Sequence, residues 1–108
     1  APFHFLDAAL YSGQMFEIFK IMLGAACKKA QKSSHTFSVN ISEYDLKHPK
    51  FVQTIHKIIK HYSVAPNRII FEILENNSIA KNKKIQDVLN VLHENGFSLA
   101  IDDFGAEC

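Results

Sequence analysis

The chain contains little cysteine, glycine or proline for its length. Only Cys27 and Cys108 occur among 108 residues, which excludes a disulfide framework and a cysteine-based zinc spacing and favours a reducing compartment. No apolar run approaches the ~20 residues that a membrane span needs, and no charged leader of a signal peptide opens the sequence. We therefore expect a cytoplasmic location and no membrane contact from this segment, although the parent protein can carry a membrane anchor elsewhere.

The charge is almost balanced. Twelve basic and eleven acidic residues leave a formal net charge of +1, which gives no argument for a nucleic-acid polymer as partner. The lysines are uneven, with one cluster at Lys28, Lys29 and Lys32 and another at Lys81, Lys83 and Lys84. We interpret both clusters as solvated helix ends. The apolar share of 47%, with nine Phe and no Trp, is enough for the core of one domain or part of one.

Apolar residues at three- and four-residue steps predict helices over about 2–11, 15–32, 49–62 and 83–94. Gly13 is expected to stop the first helix. The second helix has a broad apolar face: Met15, Ile18, Phe19, Met22, Leu23, Ala26, Cys27 and Ala30. Because Cys27 lies on this face, we interpret it as a small core residue rather than a nucleophile.

Three stretches between these helices read as strands, over about 36–42, 68–75 and 97–103. The first alternates, with Phe37, Val39 and Ile41 on one face. The apolar run of the second predicts burial on both faces, as in a parallel sheet. Helices that alternate with strands predict an α/β fold in which parallel strands are joined by right-handed helical crossovers.

Each predicted strand ends in polar residues: Asn40, then Glu72 with Glu75, then Asp102 with Asp103. The spacings from Asn40 to Glu72 and from Glu72 to Asp102 are 32 and 30 residues, one strand–helix unit each. Sites form at the carboxyl ends of parallel strands, so matching registers would bring these side chains together. One amide and several carboxylate oxygens suit Mg²⁺ or Mn²⁺ better than Zn²⁺.

Other interpretations of the same residues stay open. Asn40 can bond a neighbouring backbone group, Glu72 can pair with Arg68 or a lysine, and Asp103 can cap a following helix. Acids at strand ends with Mg²⁺ also occur in phosphorylatable receiver domains. That fold needs its acidic pair after the first strand, whereas here the pair follows the last one.

The stretches 37–42, 71–75 and 99–105, with the opening Pro2 to Leu6, resemble the EAL domain family of bacterial cyclic-di-GMP phosphodiesterases. The resemblance implies a partial (β/α)₈ TIM-type barrel in a GGDEF-associated second-messenger pathway. It also implies hydrolysis of cyclic di-GMP to the linear dinucleotide by two-metal catalysis with Mg²⁺ or Mn²⁺. The positions that match the family's metal ligands are Asn40, Glu72, Asp102 and Asp103. Of these, Glu72, Asp102 and Asp103 are the expected catalytic residues, and Glu75 matches the acid that anchors the loop after Asp103.

The resemblance further implies that residues 1–108 are a single partial domain. The Glu-Ala-Leu strand is expected upstream and the second half of the barrel downstream, so the fragment alone is expected to be inactive. Three parallel strands leave sheet edges bare, which predicts a homodimer or other self-association. Two positions depart from the family pattern: Leu74 replaces a usual Thr, and Glu107 replaces a glycine. These departures favour an alternative, a degenerate domain that binds cyclic di-GMP or a protein without hydrolysis.

Overall fold

The structure is a computed structural model that describes residues 3–74 and 77–102, with side chains over 10–74 and 79–101. The elements in chain order are α1 Phe3–Gln31, β1 Phe37–Ile41, α2 Glu43–Lys47, α3 Phe51–Tyr62, a 3₁₀ turn Pro66–Arg68, β2 Ile69–Leu74, α4 Asn77–Lys81, α5 Lys83–Glu94 and β3 Ser98–Asp102. None of the helices in the described ranges is long and apolar enough to cross a membrane.

The three strands form one parallel sheet in the order β1-β2-β3. Helices α2 and α3 lead from β1 to β2, and α4 and α5 lead from β2 to β3. This alternation confirms the predicted α/β class with three parallel strands. Its repeated strand–helix unit is the building block of a TIM-type barrel.

The hydrophobic core lies between one face of the sheet and the long helices. Phe71 is fully buried in the central strand, and its ring lies 5.0 Å from that of Phe97 and 6.1 Å from that of Phe19. Val39 and Ile41 are buried on the same side, as the alternation in β1 predicts. Burying these aromatic and branched side chains is the main source of stability for such a layer.

The other face of the sheet is open. The prediction that β2 is buried on both faces is wrong, because Ile69, Phe71 and Ile73 are buried whereas Glu72 and Leu74 are exposed. The physical reason is that all packed helices lie on one side, and no described element covers the other. The second face of β2 is therefore not covered by any described element, although its sequence is apolar enough for burial on both sides.

The prediction of two helices before β1 is also wrong, because α1 runs without a break from Phe3 to Gln31. An added Cβ at Gly13 would meet no atom within 4 Å, so the glycine sits on an open side of the helix. Glycine inside a helix costs about 1 kcal/mol relative to alanine, which is too little to stop a helix of this length.

The apolar face of α1 is also displaced from the predicted one. Phe16 is buried, whereas Ile18 and Met22 are 51% and 53% exposed. Met15 is half-buried, and the remaining predicted face residues are buried as expected: Phe19, Leu23, Ala26, Cys27 and Ala30. Burial raises the pKa of the Cys27 thiol, as expected for an inert core cysteine.

Arg68 fixes the end of α1 to the start of β2. Its guanidinium donates hydrogen bonds to the carbonyl oxygens of Ala30 at 2.9 Å, Ser33 at 2.5 Å and His35 at 2.7 and 2.9 Å. Helix α5 ends at Glu94 as predicted, and Gly96 follows it with a positive φ of 98°. The Arg68 contacts and this helix end position the starts of β2 and β3 along the sheet, and therefore also their carboxyl ends.

Candidate functional site

Asn40 and Glu72 lie side by side at the carboxyl edge of the sheet. They are partners in the parallel register of β1 and β2, and both side chains are exposed on the open face. Neighbouring strands are about 4.8 Å apart, so an amide and a carboxylate project together from adjacent strands. The register brings together two of the residues that the sequence singled out.

The third strand is offset along the same edge. Ala100 is the partner of Glu72, and Asp102 is the partner of Leu74. The backbone of Asp102 is therefore two residues, or about 6.6 Å, further along the strand direction than that of Ala100. The side chain of Asp102, together with Glu75 and Asp103, lies outside the described residues.

A shallow cavity of about 270 Å³ covers this edge. It is lined by Asn40, Glu72, Ile73, Leu74, Ala100 and Ile101. Ala100 presents the smallest side chain beside Glu72, which leaves room next to the carboxylate. The cavity opens outward, so a ligand can reach both polar side chains directly.

The alternative in which Glu72 pairs with Arg68 is wrong. Arg68 precedes β2 at its opposite end, and its guanidinium is occupied by three backbone carbonyls. The side chains of Asn40 and Glu72 form no hydrogen bond or ion pair with another described residue. Two adjacent polar side chains without partners in the described part of the chain are available to a ligand.

The donor chemistry at this edge fits a hard divalent cation. Asn40 offers an amide oxygen and Glu72 a carboxylate, the groups that Mg²⁺ and Mn²⁺ prefer. Within the described side chains, no three of His, Cys, Asp and Glu cluster as a metal site would require. Two oxygen ligands alone do not complete such a site, so any metal here would need the acids on β3 or beyond.

A larger, mainly apolar cleft of about 440 Å³ adjoins the site. It shares Asn40 and Leu74 with the first cavity, and its other lining residues include Met15, Ile18, Phe19 and Met22 of α1 and the polar Ser42, Glu43 and Asp45. Its apolar walls are suited to a planar or aliphatic group rather than to an ion.

Sequence reasoning missed Asp45, which is only 2% exposed beside this cleft. One carboxylate oxygen accepts hydrogen bonds from the Ser42 N–H and hydroxyl, each at 2.9 Å, and the other has no hydrogen-bond partner among the described residues. Burial raises the pKa of Asp45, while the bonds from Ser42 and the nearby His48 act in the opposite direction. The signal was present as the spacing of a capping box, Ser42 followed three residues later by an acid.

The fold and the edge site together define an α/β, TIM-type domain with a polar site at the carboxyl ends of its strands. The family model for the EAL domain matches residues 1–108. The chain therefore belongs to the EAL domain family. This assignment replaces the receiver-domain alternative.

Individual relatives agree with the assignment. The chain is 31% identical to the cyclic di-GMP phosphodiesterase PdeF of Escherichia coli over 77 residues, which cover 71% of the chain and 10% of PdeF. It is 31% identical over 111 residues to the cyclic di-GMP phosphodiesterase PdeB of Shewanella oneidensis, covering 98% of the chain and 13% of PdeB. The chain spans only about a tenth of the length of these relatives.

Solved structures give the same result for the fold. The PaMucR phosphodiesterase in complex with c-di-GMP superposes with a TM-score of 0.79 at 25% identity, covering 98% of this chain and 48% of that one. The EAL domain of Mycobacterium smegmatis DcpA superposes with a TM-score of 0.70 at 26% identity, covering 83% and 43%. The chain thus corresponds to about half of the length of these two solved chains.

Proposed function

We propose that the protein containing this chain is a cyclic-di-GMP phosphodiesterase that hydrolyses its substrate to the linear dinucleotide in second-messenger signalling. The observation that carries the proposal is the pairing of Asn40 with Glu72 in register at the carboxyl edge, where neither side chain has a partner among the described residues. The names of the relatives and the cyclic-di-GMP complex of PaMucR phosphodiesterase support the choice of substrate.

In this proposal Asn40, Glu72, Asp102 and Asp103 hold two divalent metals, Mg²⁺ or Mn²⁺. When bound, such metals supply Lewis acidity and lower the pKa of a coordinated water. The parallel register holds the Asn40 and Glu72 side chains level with each other along the strand direction. Little rearrangement is therefore needed to bring their oxygens together around a metal. The small Ala100 beside Glu72 leaves space for a phosphate group at the cavity.

Glu72, Asp102 and Asp103 are the proposed catalytic residues, because their carboxylates balance the charge of two dications in one place. Glu75 is proposed to anchor the loop that follows Asp103. Residues 1–108 are proposed to be one partial EAL domain that is inactive alone. The chain corresponds to 48% of the solved PaMucR phosphodiesterase chain, so it is expected to supply only part of the two-metal site. Homodimer formation is proposed as a means of covering the exposed sheet.

The test uses the full-length protein with Mg²⁺ or Mn²⁺, and chromatography to follow the linear dinucleotide. We expect Glu72→Gln and Asn40→Ala to reduce turnover on the order of 100-fold or more, since each removes a proposed metal ligand. Ser38→Ala is the matched control, because Ser38 is exposed two residues before Asn40 on the same strand. Full activity in the Glu72→Gln protein would refute the assignment.

A second candidate is a degenerate domain that binds cyclic di-GMP or a protein partner without hydrolysis. It is favoured by Leu74, which is 56% exposed beside Glu72 and lines both cavities at the site. Calorimetry with cyclic di-GMP separates the two candidates. Tight binding by a folded, metal-loaded protein without any linear product would support the second candidate and exclude the first.

A further inference from the structure

The end of the molecule opposite the candidate site carries an accumulation of unpaired lysines. Helices α1 and α3 end next to each other, since the Gln31 side-chain amide donates to the Tyr62 carbonyl oxygen at 2.8 Å. Five exposed lysines lie on these two helix ends, and we call them the lysine end: Lys28, Lys29, Lys32, Lys57 and Lys60.

No acid lies in the chain segments that carry the lysine end. The sequence has no Asp or Glu between residues 18 and 42 or between residues 46 and 71. The ion pairs of the described residues use other lysines, namely Lys20 with Glu17, Lys47 with Glu43 and Lys83 with Asp87. Like charges held close together repel, so the lysine end carries an electrostatic cost that an anionic partner would remove.

Capping of the helix ends does not account for these lysines. Cations near a helix C-terminus often compensate its carbonyl groups. Here Arg68 satisfies the carbonyl of Ala30 at 2.9 Å, and Gln31 satisfies that of Tyr62. Neighbouring side chains therefore already serve these terminal carbonyls, and the lysine ammonium groups remain available to solvent or to a partner.

A polar groove runs between the same two helix ends. It has a volume of about 590 Å³, and its lining includes Gln31, Ser33, Ser63, Asn67 and Arg68. Hydroxyl and amide groups of this kind can bond the backbone of an extended peptide, while the exposed lysines on the two adjoining helix ends attract its carboxylates. A flat membrane surface would not enter such a groove. Tyr62, half-buried, is the aromatic side chain lining it, and this offers little stacking surface for single-stranded nucleic acid.

We propose that the lysine end and its groove bind an acidic polypeptide segment, rich in Asp or Glu and extended in conformation. The groove lies at the amino ends of the strands, because Arg68 directly precedes β2. A partner bound there leaves the Asn40 and Glu72 edge accessible from the other end of the molecule. The surface is thus an interaction site separate from the proposed catalytic one.

The test measures fluorescence anisotropy of a labelled octaglutamate peptide with the full chain, and octaserine serves as the uncharged control peptide. We expect saturable binding that weakens as salt screens the charges. Changing Lys28, Lys29 and Lys60 to Gln should weaken binding about tenfold. Changing Lys81, Lys83 and Lys84 to Gln removes the same charge from another surface and should alter affinity by less than about twofold.

Three further outcomes decide the proposal. Asn67→Trp fills the groove without changing charge and should weaken octaglutamate binding, so unchanged affinity would refute the groove. Equal losses in the two triple variants would also overturn the proposal, since net charge alone would then explain binding. Binding to phosphatidylserine vesicles without binding to octaglutamate would overturn it in favour of a membrane. Circular dichroism confirms that each variant is folded.

Discussion

Arg68 donates to the carbonyl oxygen of His35 through both Nε and Nη2, at 2.9 and 2.7 Å. The same side chain reaches Ala30 and Ser33, so one guanidinium bonds three carbonyls from the last turn of α1 and the segment that follows it. A guanidinium suits this role because its donors are held in a fixed plane. The alignment of β1 with β2, and therefore of Asn40 with Glu72, depends on this turn.

Replacing Arg68 by Lys is expected to lower the free energy of unfolding by about 2 kcal/mol, because an ammonium lacks the second nitrogen through which Arg68 also bonds His35 and the fixed planar geometry of the guanidinium. Lys83→Gln is the matched control. It breaks a 3.0 Å ion pair with Asp87 in which both side chains are more than half exposed, and should cost under about 1 kcal/mol. Chemical denaturation measures both. Similar losses in the two variants would contradict the role given to Arg68.

Asp45 is expected to make stability fall as pH rises. Burial raises its pKa in the folded state, so the folded protein binds this proton more tightly than the unfolded chain. The contribution to stability is then largest below the unfolded pKa of about 3.9 and is lost as pH rises through the higher folded pKa. Asp45→Asn removes this titration and should flatten that part of the profile.

The control for Asp45 is Asp87→Asn, since Asp87 is 57% exposed in a surface ion pair and should leave the downward trend intact. Unfolding free energies measured from about pH 4 to pH 7 give the comparison. Identical pH profiles for the wild-type protein and Asp45→Asn would show that Asp45 does not titrate differently on folding.

Replacement of two glycines by alanine is expected to change the free energy of unfolding in opposite directions. Gly13 lies inside α1 with open space around it, so Gly13→Ala should stabilise the protein by about 0.5–1 kcal/mol. Gly96 has a φ of 98°, and Gly96→Ala should destabilise it by about 1–2 kcal/mol. Each variant is the control for the other in the same denaturation experiment. A stabilising Gly96→Ala would contradict the backbone geometry described here.

The open sheet face and α1 are expected to drive self-association of the chain. Leu74 and Ile101 are 56% and 49% exposed at the sheet, and Ile21 is 68% exposed on α1. Exposed apolar surface of this kind favours association with another molecule, because association removes it from water. Ile21→Glu should lower the mean mass measured by light scattering, whereas Gln53→Glu, at an exposed position on α3, should not. A monodisperse monomer of the unmodified chain would refute the expectation.

The sequence was enough to predict the buried face of β1, α5 and the pairing of Asn40 with Glu72, because all three depend on period and spacing. The continuity of α1 was missed, because a single glycine is a weak stop once a helix is held by tertiary packing. The capping role of Asp45 needed the observation that its carboxylate turns back onto Ser42. The exposure of Ile18, Met22 and Leu74 depends on what packs against them, which periodicity does not encode.

The unbroken length of α1 brings this helix to the site as well as to the core. Its 29 residues form a helix about 43 Å long, whereas the five residues of β1 cover about 17 Å. Arg68 contacts the helix near its carboxyl end, at Ala30. Towards its other end, the Met15, Ile18 and Met22 side chains line the cleft that contains Asn40. One helix therefore supplies a wall of that cleft and a layer of the hydrophobic core.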